Sequence, residues 1–387
     1  MSRILFVVPP LTGHINPTVA VGAELAARGH AVAWAGQPTA LRSLLPGAAR
    51  VFPVVGDAFE PRLADLRDHR PPPHGPAAMK FVWKDLIMPL AHAMLPGVAN
   101  AVARFAPHIV VADQQAIAGA VAARQAGTVW VTSATTPGEL LRPLAEMQGV
   151  EAWVRDQMTA FQLACGASDP VDLRFSDRLV LVFTTAALIG DTRRFGAQYV
   201  FTGPVLAPRP DREASFPWEW LDPARQHLLV TLGTLSGPAW PRFFRTLIDA
   251  LAGLGGELQA VVAAPPGEQA PPHILFAGHV PQLALLPHMS AVVCHGGQNT
   301  VCEALAYGLP LVVTPIRDDQ PIIAKQVTDA GAGVGLRIDQ LRATELRDAV
   351  RMVLDDPSYR AAAGAVRDSF AAAGGATAAV DHLEKLV

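Results

Sequence analysis

The stretch Cys294–Pro310, CHGGQNTVCEALAYGLP, follows the apolar run Ala291–Val293 and sets a histidine and two adjacent glycines at the mouth of a helix-period segment. Within it Val301, Ala304, Leu305 and Gly308 recur on one helix face, Glu303 is the only carboxylate, and Gly308 and Pro310 end the pattern. This is the strand, turn and helix joint of a parallel α/β sheet. Glycines let a backbone approach a ligand, and the N–H groups that open a helix favour a phosphate. His295 is placed to donate to a phosphate oxygen, and Glu303 to accept from a diol such as a ribose. A plain strand-to-helix turn with a polar cap fits the same letters.

Working outward, short β-rich runs alternate with Ala/Leu-rich helical stretches along the whole chain, the pattern of βα units wound into parallel sheets. In the first half, Ile4–Pro9, Ala31–Ala35, Ile109–Ala112, Val129–Val131 and Leu179–Phe183 read as strands. Pro17–Arg28 reads as a helix with proline in its first turn. The proline-rich, charged segment PVLAPRPDREASFPWEW, Pro204–Trp220, breaks the alternation as a linker would, and HLLVTLGT restarts it. Two similar α/β domains facing a central cleft follow, with ligands expected beyond the carboxyl ends of the strands.

Composition agrees with two folded cores. The 387 residues are 50% hydrophobic and 17% charged, and a net charge of -3 offers no global attraction to nucleic acid or anionic lipid. Cys165, Cys294 and Cys302 have neither disulfide-framework nor zinc spacing, which fits a reducing cytoplasm. The start, MSRILFVVPPLTGH, is too short and too broken for a signal peptide. Leu86–Ala103 lacks formal charges but is interrupted by Pro89, His92, Pro96, Gly97 and Asn100, so it reads as a buried helix and no stable membrane insertion is expected.

Two more strand ends carry candidate chemistry. In PLTGHINP, Pro10–Pro17, His14 sits in the loop before the first helix, where a neutral imidazole serves as a general base, and Asp113 at the end of HIVVAD would orient it. In PIRDDQPIIA, Pro315–Ala324, Asp319 and Gln320 offer acceptors and donors to a polyhydroxylated ligand, or else cap the helix that starts at Pro321. The chain has no Asp-x-Asp and no Walker-type Gly-Lys-Ser/Thr, so neither a metal-held diphosphate nor P-loop chemistry is expected.

With these loops placed, the sequence resembles the inverting GT-B glycosyltransferases that use nucleotide sugars, the family of plant UDP-sugar glycosyltransferases and bacterial macrolide and natural-product enzymes. HVPQLALLPHMSAVVCHGGQNTVCEALAYGLPLVVTPIRDDQ, His279–Gln320, follows the family's donor signature nearly end to end, and GHINP looks like its acceptor-base loop. The resemblance implies that Val280 and Gln282 lie beside the base and ribose and that Glu303 binds the ribose hydroxyls. His295, Asn299, Thr300 and the backbone of Gly296 and Gly297 would hold the diphosphate, with Gly233 and Thr234 from VTLGTLSG. Asp319 and Gln320 would read the sugar, His14 would be the base and Asp113 its partner. His279 stands where relatives usually stack an aromatic on the nucleobase, and Gln298 replaces the tryptophan of the plant signature.

The chain is therefore expected to divide into an acceptor-binding domain, 1–207, a linker, 208–220, a nucleotide-sugar domain, 221–370, and a C-terminal helix, 371–387, packing back on the first domain. The expected reaction moves a hexose, without cofactor or metal, from a nucleotide sugar to a hydroxyl of a hydrophobic natural product, with inversion. Keeping Glu303 favours a UDP-sugar over a dTDP-deoxysugar, because a 2′-hydroxyl gives the carboxylate a second partner. Met79, Phe81, Trp83, Met88, Met94, Trp153, Met158 and Phe161 crowd the region where an apolar acceptor pocket, or simply core, would form. No nucleic-acid partner is expected, and the protein would act as a monomer or homodimer. A nucleotide-sugar epimerase of the same plan, or an inactive nucleotide-sugar-binding auxiliary, remains open at this point.

Overall fold

A computed structural model describes residues 1–56, 59, 75–141, 148–206, 216–233, 240–265 and 270–387. Two compact units emerge, one formed by 1–183, 192–207 and 373–387, the other by 184–191 and 208–372. Residues 184–191 thus pack with the second unit, although the sequence reading assigns them to the first domain. Of the expected linker, 208–215 lies outside the described residues, whereas Phe216 and Trp220 join the second unit's core.

The first unit holds a seven-stranded sheet: β1 (Arg3–Val7), β2 (Ala31–Gly36), β3 (Arg50–Pro53), β4 (Ile109–Asp113), β5 (Val129–Ala134), β6 (Val180–Val182) and β7 (Tyr199–Phe201). Their order is β3-β2-β1-β4-β5-β6-β7, and every pairing is parallel. Parallel strands buried on both faces need continuous apolar runs, which ILFVV and IVVA supply. Alternate residues divide between two cores. Leu5, Val7, Val110 and Ala112 face one, with Trp83, Met94 and Phe161; Ile4, Phe6, Ile109 and Val111 face the other, with Ile15, Val21 and Leu25. The last helix, Gly375–Glu384, adds Ala379, Val380 and Leu383 to that second core. Arg28 fastens it through Asp381 at 2.6 Å and Glu384 at 2.8 Å.

The first helix runs Thr12–Ala27, with Pro17 inside it. It starts five residues earlier than expected because His14 and Ile15 donate their N–H groups to the Leu11 carbonyl, closing a turn before the proline. The helical run Pro76–Phe105 is long and apolar enough to cross a bilayer by length and composition. Its face Trp83, Ile87, Leu90, Met94, Val98 and Phe105 is nevertheless core. A π-turn at Val82–Ile87 precedes Pro89, whose ring would otherwise crowd the preceding carbonyls. Trp83, Met94, Met158 and Phe161 are fully buried core and unavailable to an acceptor, and Met79, Met88 and Trp153 pack at that core's margin.

A buried ionic knot lies in the same unit. Arg174, 1% exposed, donates to Glu139 at 3.1 Å, Glu151 at 2.7 Å and Asp172 at 2.8 Å. Trp83 Nε1 donates to the other Glu139 oxygen at 2.7 Å.

The second unit holds β8 (Gln226–Thr231), β9 (Leu258–Ala263), β10 (Ile274–Ala277), β11 (Ala291–Cys294), β12 (Leu311–Val313) and β13 (Gly333–Gly335). Their order is β10-β9-β8-β11-β12-β13, again all parallel. Leu229, Val261, Val292 and Val313 face one core, with Val301 and Leu305; Leu228, Val230, Val262 and Val293 face the other, with Phe243, Leu247 and Val350.

Candidate active site

In each sheet the chain winds outward from one strand and then returns beside it, and the crevice where the order reverses is the ligand position of such folds. That point lies between β1 and β4 in the first unit and between β8 and β11 in the second.

His14 follows β1 and Asp113 ends β4. His14 occupies the first turn of Thr12–Ala27 rather than a loop, and its Nδ1 lies 3.0 Å from both oxygens of Asp113, which is 1% exposed. Two carboxylate oxygens facing Nδ1 require the proton there, since a bare nitrogen would oppose them lone pair to lone pair. In the neutral ring Nε2 then keeps the lone pair that a general base needs. Asp113 Oδ1 also accepts from the backbone N–H of Gln115 at 2.9 Å. Sequence reasoning missed a third member, Thr135, one residue beyond β5. Its Oγ1 lies 2.7 Å from Asp113 Oδ2 and 2.8 Å from His14 Nδ1. The available signal was its place at a strand end beside the strand that carries Asp113.

In the second unit, β11 runs into His295, Gly296 and Gly297, and the helix Gln298–Ala306 begins immediately. The register pairs Cys294 with Thr231, so His295 comes beside the loop that leaves β8. Gly233 there has φ +71° and Gly296 has φ +85°, a region that side chains with a Cβ rarely adopt. The His295 ring fills the space of absent side chains: a Cβ on Gly297 would lie 2.6 Å from its Nε2, and one on Gly233 would be equally close. A Cβ on Gly296 would meet Val313 at 2.9 Å and the Gln320 carbonyl at 3.2 Å, so the turn and the PIRDDQ loop pack closely. Thr234 lies outside the described residues.

Burial lowers the His295 pKa to about 4, with the Arg317 charge adding to the shift and the Thr231 backbone opposing it. The imidazole is therefore neutral at ordinary pH, and among the described residues its Nδ1 is buried without a hydrogen-bond partner. Helix geometry directs the N–H groups of Gln298, Asn299 and Thr300 out of the first turn, since Val301 is the first to bond back, to Gly297 at 3.0 Å. That turn is suited to an anion.

Glu303, one turn further, is 5% exposed and accepts from the Gln282 side chain at 2.5 Å, which joins two expected ligand-binding residues 21 positions apart. Val280 is buried in the core, and His279 is exposed. Gln320, expected with Asp319 to read the sugar, is engaged by its own loop. Its Oε1 accepts from the backbone N–H groups of Ile316 at 2.8 Å and Arg317 at 3.1 Å, so only its amide nitrogen remains to offer a ligand. Asp319 is the N-cap of Gln320–Asp329 but makes no side-chain cap bond.

Comparison with known proteins agrees with this layout. Residues 245–386 match the family model described as erythromycin biosynthesis protein CIII-like, C-terminal domain. The chain is 28% identical to 4'-demethylrebeccamycin synthase of Lentzea aerocolonigenes, over 100% of both chains. It is 27% identical to demethyllactenocin mycarosyltransferase of Streptomyces fradiae, over 100% of this chain and 87% of that one. Among solved structures, the glycotransferase of kitacinnamycin aligns with a TM-score of 0.81 at 25% identity, over 100% of this chain and 99% of that one. The glycosyltransferase VinC, solved in complex with dTDP, shares the fold with a TM-score of 0.75 at 21% identity, over 99% of each chain.

Two parallel-sheet units with a glycine turn at the second switch point define the GT-B class of enzyme. The chain is similar along its whole length to bacterial natural-product glycosyltransferases, and it is a glycosyltransferase. That activity replaces the epimerase and auxiliary-protein alternatives.

Proposed function

We propose that this glycosyltransferase moves a hexose, with inversion and without a metal, from a UDP-sugar to a hydroxyl of an apolar natural product in the cytoplasm. The observation that carries the reading is the His14 and Asp113 contact, which leaves Nε2 as the basic nitrogen. In the proposed step Nε2 takes the acceptor hydroxyl proton as the oxygen attacks the anomeric carbon. The new carbon–oxygen bond forms on the face opposite the breaking bond to phosphate, and UDP departs with its electron pair. Asp113 stabilises the imidazolium that results. General-base assistance of this kind is worth roughly 10² to 10⁴ in rate.

Charge on the departing diphosphate would be met by fixed donors, the opening N–H groups of Gln298–Ala306 and neutral His295. With the leaving-group charge met by these donors, the proposed step needs no metal. Glu303, expected to meet the ribose hydroxyls, supports UDP, whose 2′-hydroxyl would give the carboxylate a second partner. The dTDP bound by VinC favours a second reading, a dTDP-sugar, on the same site.

The test is transfer from UDP-glucose and dTDP-glucose to a panel of apolar hydroxylated acceptors, with and without chelator, reading product mass and anomeric configuration. An inverted glycoside formed from the UDP-sugar in chelator is expected. Retention of configuration, or loss of turnover in chelator, refutes the mechanism, and exclusive use of the dTDP-sugar refutes the donor assignment.

A further inference from the structure

The loops beyond β4 and β5 are stitched together twice. Asp113 Oδ2 accepts from the Thr135 hydroxyl at 2.7 Å, and the Gln114 side chain donates to the Thr136 carbonyl at 3.2 Å. The strand register carries the same pairing up to this point, Asp113 opposite Ser133, with the Gln114 N–H donating to the Ser133 carbonyl at 3.1 Å. Four residues past Thr135, Glu139 is held by Trp83 and by Arg174. The Thr135 hydroxyl, on a residue 6% exposed, is therefore fixed from both sides.

Proton counting decides what that hydroxyl does. His14 Nδ1 already carries a proton toward Asp113, so it cannot accept one from Thr135. The one Thr135 hydrogen must point at Asp113 Oδ2, leaving the hydroxyl oxygen to share the Nδ1 proton at 2.8 Å. The Asp113 charge is then divided among three donors: His14, Thr135 and the Gln115 N–H. Each donor weakens the carboxylate's hold on the others.

We propose that Thr135 is a positioning residue for proton transfer, fixing the plane of the Asp113 carboxylate and moderating how strongly that carboxylate holds a proton on His14. The proposal rests on the reading of His14 as the base. Asp113 is the ionised group that faces both side chains. Without the hydroxyl, Asp113 would swing more freely and bind the imidazolium more tightly, so His14 would be a worse-aimed base that stays protonated to higher pH.

The experiment compares Thr135→Val, which keeps the shape, with Thr135→Ser, which keeps the hydroxyl, in the full-length protein. Thermal melts verify that both fold. For Thr135→Val, kcat is expected to fall about ten-fold or more with little change in donor KM, and the acidic limb of the kcat profile to move to higher pH; Thr135→Ser should restore both. The His14 ring signal, followed by NMR titration without substrate, should show tighter proton binding, about three-fold or more, in Thr135→Val alone. If both variants match the wild type in rate and titration, or if both are equally impaired, Thr135 does not act in this way. If His14→Ala leaves turnover intact, the base assignment falls; the NMR titration still decides whether Thr135 governs His14.

Discussion

The His295 ring lies so close to the backbone of Gly233 that a Cβ there would sit 2.6 Å from both Cε1 and Nε2. Gly233→Ala must therefore displace the imidazole, and it also strains a residue at φ +71°. Affinity for UDP, the proposed leaving nucleotide, measured by calorimetry, is expected to fall at least ten-fold, about 1.4 kcal/mol. Gly297→Ala should do the same from the other side of the ring. Wild-type affinity in both variants would show that the ring's position is irrelevant to the nucleotide.

His295 also links stability to pH. Its folded pKa of about 4 lies below the ordinary 6.5, so the unfolded chain takes up a proton first as pH falls. The contribution is fully present above pH 6.5 and is lost between there and about pH 4, amounting to roughly 3 kcal/mol at most. Urea unfolding at pH 7.5, 5.5 and 4.5 should show a shallower decline for His295→Asn than for the wild type. Parallel declines would contradict the buried neutral imidazole.

Removing His14, the proposed base, should be costly in rate and cheap in stability. His14→Ala is expected to lower kcat by roughly 10² to 10⁴. Asp113→Asn, which keeps size but removes the charge that favours the Nδ1 proton, should lower it by at least about ten-fold. Initial rates at saturating donor give both numbers, and thermal melts establish that the variants remain folded.

Arg174 offers a purely structural test. Arg174→Met would leave Glu139, Glu151 and Asp172 without their common cation, and breaking a buried pair from one side costs about 3 to 5 kcal/mol. Denaturant unfolding should record that loss, and adding Glu139→Gln should recover part of it. A loss under 1 kcal/mol would mean that water reaches the carboxylates readily.

Much of this arrangement is legible in the sequence, because a parallel strand must be apolar on both faces and each glycine turn marks where one ends. Cys294 to Glu303 shows its strand, turn and helix directly in the letters, and the spacing of Val301, Ala304 and Leu305 fixes which face is buried. Contacts made across long separations are not legible. Thr135 meets His14 across 121 positions, and nothing local separates it from any other threonine after a strand. The hydrogen bonds that Gln320 accepts from its own loop are likewise not marked by residue type. The helix start at Thr12 was hidden because a proline usually opens a helix, and here it sits inside one.

The path of the chain between its two units bears on hybrid enzymes. It changes unit near residues 183, 191, 207 and 372, and Leu188, 2% exposed, is a core residue of the second unit although sequence on both sides belongs to the first. Exchanging donor halves with a relative by a single splice near 207 would leave Leu188 facing a foreign core and Ala379, Val380 and Leu383 arriving with the wrong partner. Leu188, Val380 or Leu383, if left exposed by the mismatch, would each forfeit about 1.5 to 3 kcal/mol of burial. A workable chimera must carry 184–191 with the incoming half and retain 373–387 from the host.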